Sequence, residues 1–296
     1  MPRPDVAALG IAYRRIPLLA IGRDVYNDSR LIISKLGQLY PPSAAHPSIS
    51  SFSPEQRAIT RLLDRWTTDT GIFFTSAALV PSTLPSLTDE NFIKDREQCM
   101  GKSFRKEDIE RARPGAIVVI ANAFAFLEDL LGDGREWLLG TTGPSLADIE
   151  GVWPFHFLVA LPGALPPDQI SSTQFPKVFA WIDRFSAATS AASEKLGEPK
   201  EIKGPEAVSL ITSSEFAEAD PTVDPKDAIG LRKGQEVEVW PIDSGFNNKD
   251  TGTLIGLTAS ETVIETKAEN GQTIRVHAPR HGFSIRAIGK DEKVVQ

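Results

Sequence analysis

The sequence predicts an α+β chain of several domains, in which an all-helical region separates a short N-terminal hairpin from a small C-terminal β-region. Its 296 residues exceed what one small domain needs. Helix-start signals recur through the middle of the chain, whereas alternation of polar and apolar residues begins only near residue 236. We therefore predict four segments: a hairpin fragment (1–40), a helical domain (41–192), a linker (193–226) and a β-domain (227–296).

The N-terminal fragment contains a short apolar strand followed by a turn. Ile16 to Ile21 is almost wholly apolar, and Gly22-Arg23-Asp24 separates it from a second strand that begins at Val25-Tyr26. This pattern predicts a β-hairpin. Asp28 or Ser29 can then cap a helix, because both side chains accept hydrogen bonds from the free N–H groups of a first turn. We expect the apolar face of that helix to comprise Leu31, Ile32 and Leu36.

The central region contains several strong helix starts. A Pro/Ser-rich stretch around His46, residues 37–52, predicts a linker. Ser53-Pro54-Glu55-Gln56 follows it, with serine at the N-cap, and predicts a helix that runs to about Ala78. Further helices are predicted over residues 88–100, over 106–131 with a kink at Pro114, over 145–161 from the capping box Ser145–Asp148, and over 175–188.

The last part of the chain has the two-residue period of strands. Asn270-Gly271 is the strongest tight-turn signal in it. Five short strands are predicted, at residues 236–240, 252–257, 261–267, 272–277 and 283–288. Five short strands in sequence predict a small, partly open, barrel-like β-domain.

Composition excludes several classes of partner and compartment. The net charge of −7 argues against a general nucleic-acid binder. The single cysteine, Cys99, forms no intrachain disulfide, which favours a reducing compartment. No apolar run is long enough to span a membrane, and the N-terminus lacks the features of a signal peptide. We therefore expect a cytoplasmic protein with neither a membrane nor a nucleic acid as its partner.

Three features in order resemble the cytosolic glutathione transferases, and in particular fungal glutathione-transferase-like proteins. Arg15-Ile16-Pro17-Leu18-Leu19 places a proline at the mouth of a strand before a hairpin, and Asp28-Ser29 opens the next helix. Trp137-Leu138-Leu139-Gly140 is followed by Pro144-Ser145-Leu146-Ala147-Asp148-Ile149. The resemblance covers about residues 3–190 and leaves the C-terminal β-region outside.

The resemblance implies a partial thioredoxin-like fold for the N-terminal fragment, a transferase-type helical domain, and glutathione as co-substrate. In the family the proline is cis, so Ile16, which precedes Pro17, would offer its N–H and C=O to the cysteinyl backbone of glutathione. Ser29 would hold the γ-glutamyl carboxylate at the helix N-terminus, and Asp28 would hold the ammonium group. The implied glutathione-binding residues are Ile16, Pro17, Asp28 and Ser29.

The sequence departs from the family before the hairpin. A complete thioredoxin-like domain has a strand, a helix and a second strand there, with the Tyr, Ser or Cys that favours the glutathione thiolate. This chain has twelve residues before Tyr13, so no catalytic residue is predicted. Either a preceding segment exists outside this sequence or the fragment is truly short.

Two hypotheses about function remain open. In the first, a transferase-like enzyme of detoxification or secondary metabolism joins glutathione to an apolar electrophile, or uses it to isomerise or dehydrate a substrate. In the second, the protein is a non-catalytic binding or scaffold protein with a degenerate glutathione site. The resemblance implies a small-molecule substrate and a homodimer, while the small β-domain suggests a protein partner because such barrels commonly bind peptides.

No metal site is expected. His277 and His281 flank Ala278-Pro279-Arg280, but a tight site needs three or four ligands. We expect this segment to be a loop between strands. His156 lies in the most apolar predicted helix, and we expect it to be a core histidine rather than a catalytic base.

Overall fold

The computed structural model describes residues 3–43, 48–50 and 53–289, and it contains two compact units. One unit is formed by the chain up to residue 41, residues 94–103 and the chain from residue 200 onward. The other is formed by residues 42–93 and 104–199. The N-terminal hairpin fragment and the C-terminal strands therefore belong to the same compact unit.

Most helices of the described residues lie close to the predicted positions, but the helices at Pro4–Ala8 and Gly204–Ser213 were not predicted. A 3-10 turn at Pro85–Thr88 precedes α5. The α-helices are α1 (Pro4–Ala8), α2 (Ser29–Leu39), α3 (Pro54–Thr68), α4 (Ile72–Ala77), α5 (Glu90–Met100), α6 (Lys106–Leu130), α7 (Leu146–Ala160), α8 (Pro176–Leu196) and α9 (Gly204–Ser213).

The helical unit is organised by capped helices around an aromatic core. The predicted capping box of Ser53 and Gln56 is present at the start of α3. The single helix expected from there to Ala78 is instead two helices, because the chain turns at Gly71, which has a φ of 84° that few other residues adopt. The largest fully buried side chains of this unit are Trp181, Phe124 and Phe155.

The strands form one open sheet, so the prediction of a separate five-stranded, barrel-like domain was wrong. The strands are β1 (Leu18–Ile21), β2 (Asp24–Asn27), β3 (Glu236–Pro241), β4 (Asp250–Leu257), β5 (Glu261–Lys267), β6 (Thr273–Pro279) and β7 (Phe283–Ala287). They lie in the order β1-β2-β6-β5-β4-β3-β7. All neighbours are antiparallel except β2 and β6, where Val25 lies opposite Val276.

The strands form one sheet, and not a separate barrel-like domain, because the edge of β6 is paired with the N-terminal hairpin. The five C-terminal strands occur close to their predicted positions, but β6 pairs with β2 instead of closing the sheet on itself. An unpaired strand edge exposes backbone hydrogen-bonding groups, and the N-terminal hairpin satisfies them here. Sequence alone does not reveal this pairing, because about 250 residues separate its two strands.

The N-terminal hairpin is closed by a tight turn. Leu18 lies opposite Asn27 and Ile21 opposite Asp24, which leaves Gly22 and Arg23 in the turn. Gly22 has a φ of 57°, and a Cβ atom there would lie 2.1 Å from the carbonyl oxygen of Glu215. Glycine is therefore required at this turn by both conformation and space.

Two predicted linkers differ from the structure. The segment predicted as a linker over 193–226 contains the end of α8 and the whole of α9. The earlier linker overlaps the end of α2, and its central residue, His46, lies outside the described residues. On α2, Ile32 is buried, whereas Leu36 is exposed. The buried face of this helix therefore includes fewer residues than the predicted apolar face.

Within the described part of the chain, no helix is long and apolar enough to cross a membrane.

Candidate functional site: the cis-proline corner

Residues 15–17 and 28–29 form a surface corner, which we call the cis-proline corner. The peptide bond between Ile16 and Pro17 is cis. Leu18 pairs with Asn27, so the residues just before β1 lie beside those just after β2. The hairpin thus places Ile16 and Pro17 next to the N-terminus of α2.

Several hydrogen-bonding groups at the corner are available to a ligand. Ile16 and Ser29 are exposed. Within the described residues, neither the backbone N–H and C=O of Ile16 nor the N–H and hydroxyl of Ser29 has a hydrogen-bond partner. The free N–H groups of a helix N-terminus attract anions, and an exposed, unpaired backbone can add an extended segment.

Asp28 has an unusual backbone conformation. Its φ of 73° is the one positive value among the non-glycine residues that the structure describes. Oδ1 of Asp28 accepts a hydrogen bond from the Arg30 N–H, at 3.1 Å, and so caps α2. Conformations of this kind cost about 1–3 kcal/mol and cluster at binding sites. The strain at Asp28 therefore supports a functional role for the corner.

Arg15 occupies the centre of the corner's charge network. Its Nη2 lies 3.1 Å from Oδ2 of Asp28, and its Nη1 lies 2.8 Å from Oδ1 of Asp243. The guanidinium also lies 5.5 Å from the ring centre of Tyr13 and 5.4 Å from that of Phe283. Two carboxylates and two rings thus hold Arg15, and one of those carboxylates belongs to the predicted site.

Two side chains that could stabilise or supply a thiolate, Tyr13 and Cys99, are buried. Burial raises the pKa of Tyr13 to about 12, and the positive charge of Arg15 offsets only part of this rise. The Tyr13 hydroxyl accepts a hydrogen bond from Nε of Arg15, at 3.1 Å, and its side chain is almost fully buried. Cys99 is also buried. Neither the Tyr13 hydroxyl nor the Cys99 thiol is therefore exposed at the corner.

A second polar cluster, centred on the fully buried Asp24 and His277, joins β2 to the C-terminal strands. His277 lies within β6, which extends to Pro279, so the loop predicted between His277 and His281 is shorter than expected. The Nε2 of His277 is 2.9 Å from Oδ1 of Asp24, and its Nδ1 is 2.7 Å from Oε1 of Glu261. Oδ2 of Asp24 accepts hydrogen bonds from the N–H groups of Ala217 and Glu218.

This cluster continues to α2 through Glu218. The Tyr26 hydroxyl donates to the Glu218 carboxylate, which also pairs with Lys35. The Tyr26 ring packs against the His277 ring, with 4.4 Å between centroids. Burial, and then the bond to Glu218, raises the pKa of Tyr26 above its ordinary value. Sequence analysis missed this cluster because its members are separated by up to about 250 residues and match no motif.

A buried carboxylate, Asp250, connects the start of the chain to β4. Its Oδ1 accepts hydrogen bonds from the N–H groups of Ala12, at 2.6 Å, and Tyr13, at 2.9 Å. Its Oδ2 accepts a bond from Nδ2 of Asn27, at 3.0 Å, while Oδ1 of Asn27 is buried without a partner. Burial, only partly offset by these bonds, raises the pKa of Asp250 to about 6.

We expect Asp250→Asn to stabilise the protein at pH 8 by about 1–2 kcal/mol, because it removes a buried charge for which the described residues form no ion pair. The new amide would donate to Oδ1 of Asn27 once the Asn27 amide turns over. Because the folded pKa is raised above 3.8, the native protein loses stability as the pH rises from about 4 to 6, and the variant should not. Urea unfolding across this pH range measures both effects, with the exposed Asp129→Asn as control. Equal pH profiles for the variant and the native protein would contradict the account.

No group of three or more metal-ligating side chains occurs among the described residues. The imidazole of His277 is bound by carboxylates on both nitrogens, which leaves no free nitrogen for a metal ion.

Comparison with known proteins supports the fold. The chain is similar to a solved structure of a GST-like protein from Pseudomonas syringae, with a TM-score of 0.69 and 23% identity over 97% of this chain and 87% of that one. At this identity the likeness shows a GST-like fold. Because it spans nearly the whole chain, it includes the C-terminal strands, which the sequence resemblance had left outside.

The helical unit also matches a family model. Residues 75–194 match a family described as a domain of unknown function, DUF7962. No curated protein matches the sequence.

Proposed function

We propose that this protein is a GST-like protein that binds glutathione at the cis-proline corner. The observation that carries the proposal is the exposed, unpaired backbone of Ile16 beside a cis proline and a helix N-terminus with a free serine. Glutathione has an extended peptide backbone that ends in an ammonium and a carboxylate group. The corner offers complementary groups to each of these.

The proposed contacts follow from the chemistry of the corner. The N–H and C=O of Ile16 bond to the cysteinyl backbone, and Pro17 holds that peptide outward. The hydroxyl and N–H of Ser29 receive the γ-glutamyl carboxylate at the positive end of α2. Asp28 receives the ammonium, for which it exchanges part of its contact with Arg15.

The proposed activity is transfer of glutathione to an apolar electrophile, or glutathione-dependent isomerisation or dehydration. A non-catalytic binding role is the second candidate. One observation favours this second candidate: the hydroxyl of Tyr13, which lies beside the corner, is buried and bonded to Arg15. Formation of the thioether from 1-chloro-2,4-dinitrobenzene and glutathione distinguishes the two, since only an enzyme raises its rate above the uncatalysed background.

We expect Ser29→Ala to weaken glutathione binding by about 1–3 kcal/mol, the usual cost of losing a hydrogen bond to a charged group. Isothermal titration calorimetry measures this difference. The control is Ser34→Ala, because Ser34 is an exposed serine on the same helix but away from its N-terminus. Equal affinities of the two variants would contradict the proposed role of Ser29.

A further inference from the structure

We propose that a pocket beside the N-terminal segment binds a small hydroxylated monocarboxylate. The pocket has a volume of about 360 Å³, which lies within the range of small-molecule sites. Its walls come from three parts of one compact unit: the segment 3–14, Asp95 and Gln98 of α5, and Asn248 between β3 and β4. We call it the Arg3 pocket. The proposal does not rest on the proposed glutathione site, because none of the described residues that line the pocket belongs to the cis-proline corner.

The walls of the Arg3 pocket are bonded to the rest of their unit. The N–H of Gly245 donates a hydrogen bond to the carbonyl of Cys99, at 2.6 Å, which fixes the loop of Asn248 to the end of α5. The carbonyl of Ala8 accepts a bond from the N–H of Glu269, at 2.9 Å. These bonds hold the walls in place within the protein itself, which lowers the entropy that a ligand must overcome when it binds.

The charge of the lining residues favours an anion. Arg14 pairs with Asp95, and both side chains are mostly buried. Asp95 also pairs with Arg96, whose Nη2 lies 2.6 Å from Oδ2. The described lining therefore has two guanidinium groups, those of Arg3 and Arg14, and one carboxylate. An excess of one positive charge matches a carboxylate, whereas a phosphate monoester carries close to two negative charges.

Arg3 is the residue of this lining that we expect to contact the anion. Its Nη1 donates one long hydrogen bond, at 3.3 Å, to the carbonyl of Arg15. Among the described residues, Arg3 has no ion-pair partner and its other N–H groups have no acceptor. A guanidinium presents five N–H donors in a planar fork that fits a carboxylate. Arg3 can therefore bind a carboxylate without breaking an ion pair.

Asn248 supplies a second polar contact, of the opposite hydrogen-bonding type. Its Oδ1 is buried and has no hydrogen-bond partner among the described residues. A buried acceptor without a partner is costly, and proteins usually satisfy such an atom with a water molecule or a ligand. Val6 and Ile11 add apolar surface to the same pocket. We therefore assign to it a ligand in which a small apolar body joins a carboxylate to a hydroxyl group.

Titration of the ¹⁵N-labelled chain with 4-hydroxybenzoate, in the absence of glutathione, tests the proposal. We expect saturable shifts at the amides of Ala7, Ile11 and Asn248, with little change at Ile16 and Ser29 of the cis-proline corner. Benzoate lacks the hydroxyl and should bind about fivefold more weakly. The uncharged 4-hydroxybenzamide should bind at least about tenfold more weakly, because it forms no charge-assisted bond with Arg3.

Two variants distinguish the two polar contacts. Arg3→Gln should weaken the binding of 4-hydroxybenzoate at least about tenfold, whereas Arg232→Gln, at an exposed arginine of the same unit, should not change it. Asn248→Ala should abolish the preference for 4-hydroxybenzoate over benzoate, a readout that a general loss of structure does not produce. Circular dichroism shows whether each variant folds.

Four results would overturn the proposal. The first is an absence of saturable shifts at millimolar 4-hydroxybenzoate, and the second is a set of saturable shifts away from the pocket. The third is equal weakening by Arg3→Gln and Arg232→Gln, which would indicate a general effect of charge. The fourth is an unchanged preference for 4-hydroxybenzoate in Asn248→Ala, since the hydroxyl would then bind elsewhere.

Discussion

Replacement of His277 by alanine should lower the free energy of unfolding by about 3–5 kcal/mol, the usual cost of breaking a buried ion pair. Asp24 is fully buried, and among the described residues the imidazole of His277 is the group that forms an ion pair with it when protonated. The variant would leave this carboxylate uncompensated and would also remove the bond to Glu261. Chemical unfolding followed by tryptophan fluorescence measures the loss.

The same pair predicts how stability depends on pH. Burial alone would lower the pKa of His277, but its hydrogen bonds to Asp24 and Glu261 outweigh burial and raise the pKa above 6.5. A group with a raised folded pKa stabilises fully below its unfolded pKa. Its contribution is lost as the pH rises through the folded value. We therefore expect the native protein to lose stability on the alkaline side of pH 6.5.

The variant His277→Gln distinguishes the effect of the imidazole charge from the effect of the volume that the side chain fills. Glutamine partly fills the site and can donate to one carboxylate, so we expect a smaller loss than with alanine. Glutamine does not titrate, so the loss of stability above pH 6.5 should disappear in this variant. The control is His281→Ala, four residues further along the chain, which should still lose stability above pH 6.5. An unchanged pH profile in His277→Gln would show that another group causes it.

Asp148→Ala should destabilise the helical unit by about 3–5 kcal/mol, since it removes a fully buried carboxylate that accepts four hydrogen bonds. Oδ1 accepts from the N–H of Leu138, at 2.8 Å, and from Nε1 of Trp181, at 2.9 Å. Oδ2 accepts from the N–H and the hydroxyl of Ser145. The side chain thus caps α7 and connects it to α8.

Asp148→Asn tests whether hydrogen bonding or shape causes the loss. The amide keeps the shape, but its NH2 group must face donors on one side, either Ser145 or Leu138 with Trp181. We expect more than half of the alanine effect to remain. Ser145→Ala should cost less, about 1 kcal/mol, because it removes one cap and leaves three bonds to Asp148. Thermal unfolding of all three variants measures the order of destabilisation, which we expect to decrease from Asp148→Ala to Asp148→Asn to Ser145→Ala. Equal destabilisation by Asp148→Asn and Ser145→Ala would contradict this order.

Local signals in the sequence predicted most of the secondary structure. The capping boxes at Ser53 and Ser145 marked the starts of α3 and α7, because the side chains that cap a helix lie within three residues of one another. The Asn270-Gly271 turn placed β5 and β6 in the same way. The break at Gly71 was missed, since the apolar periodicity continues through it.

The tertiary assembly could not be predicted by the same means. The pairing of β2 with β6, the His277 cluster and the bonds to Asp250 all join residues that are more than 200 positions apart. At the cis-proline corner the resemblance implied the cis bond at Pro17, and the sequence offered Asp28 or Ser29 as the cap, of which Asp28 is the cap. It did not predict that Arg15 would pair with Asp28, because arginine has many carboxylates within reach.

Titration of the ¹⁵N-labelled chain with glutathione, followed by the amide resonances, tests most directly whether glutathione binds at the cis-proline corner. We expect saturable shifts at Ile16, Ser29 and Arg30, with little change at the amides of Asp148 and Trp181 in the helical unit. An absence of saturable shifts at millimolar glutathione, or saturable shifts confined to residues away from the corner, would contradict binding at the corner.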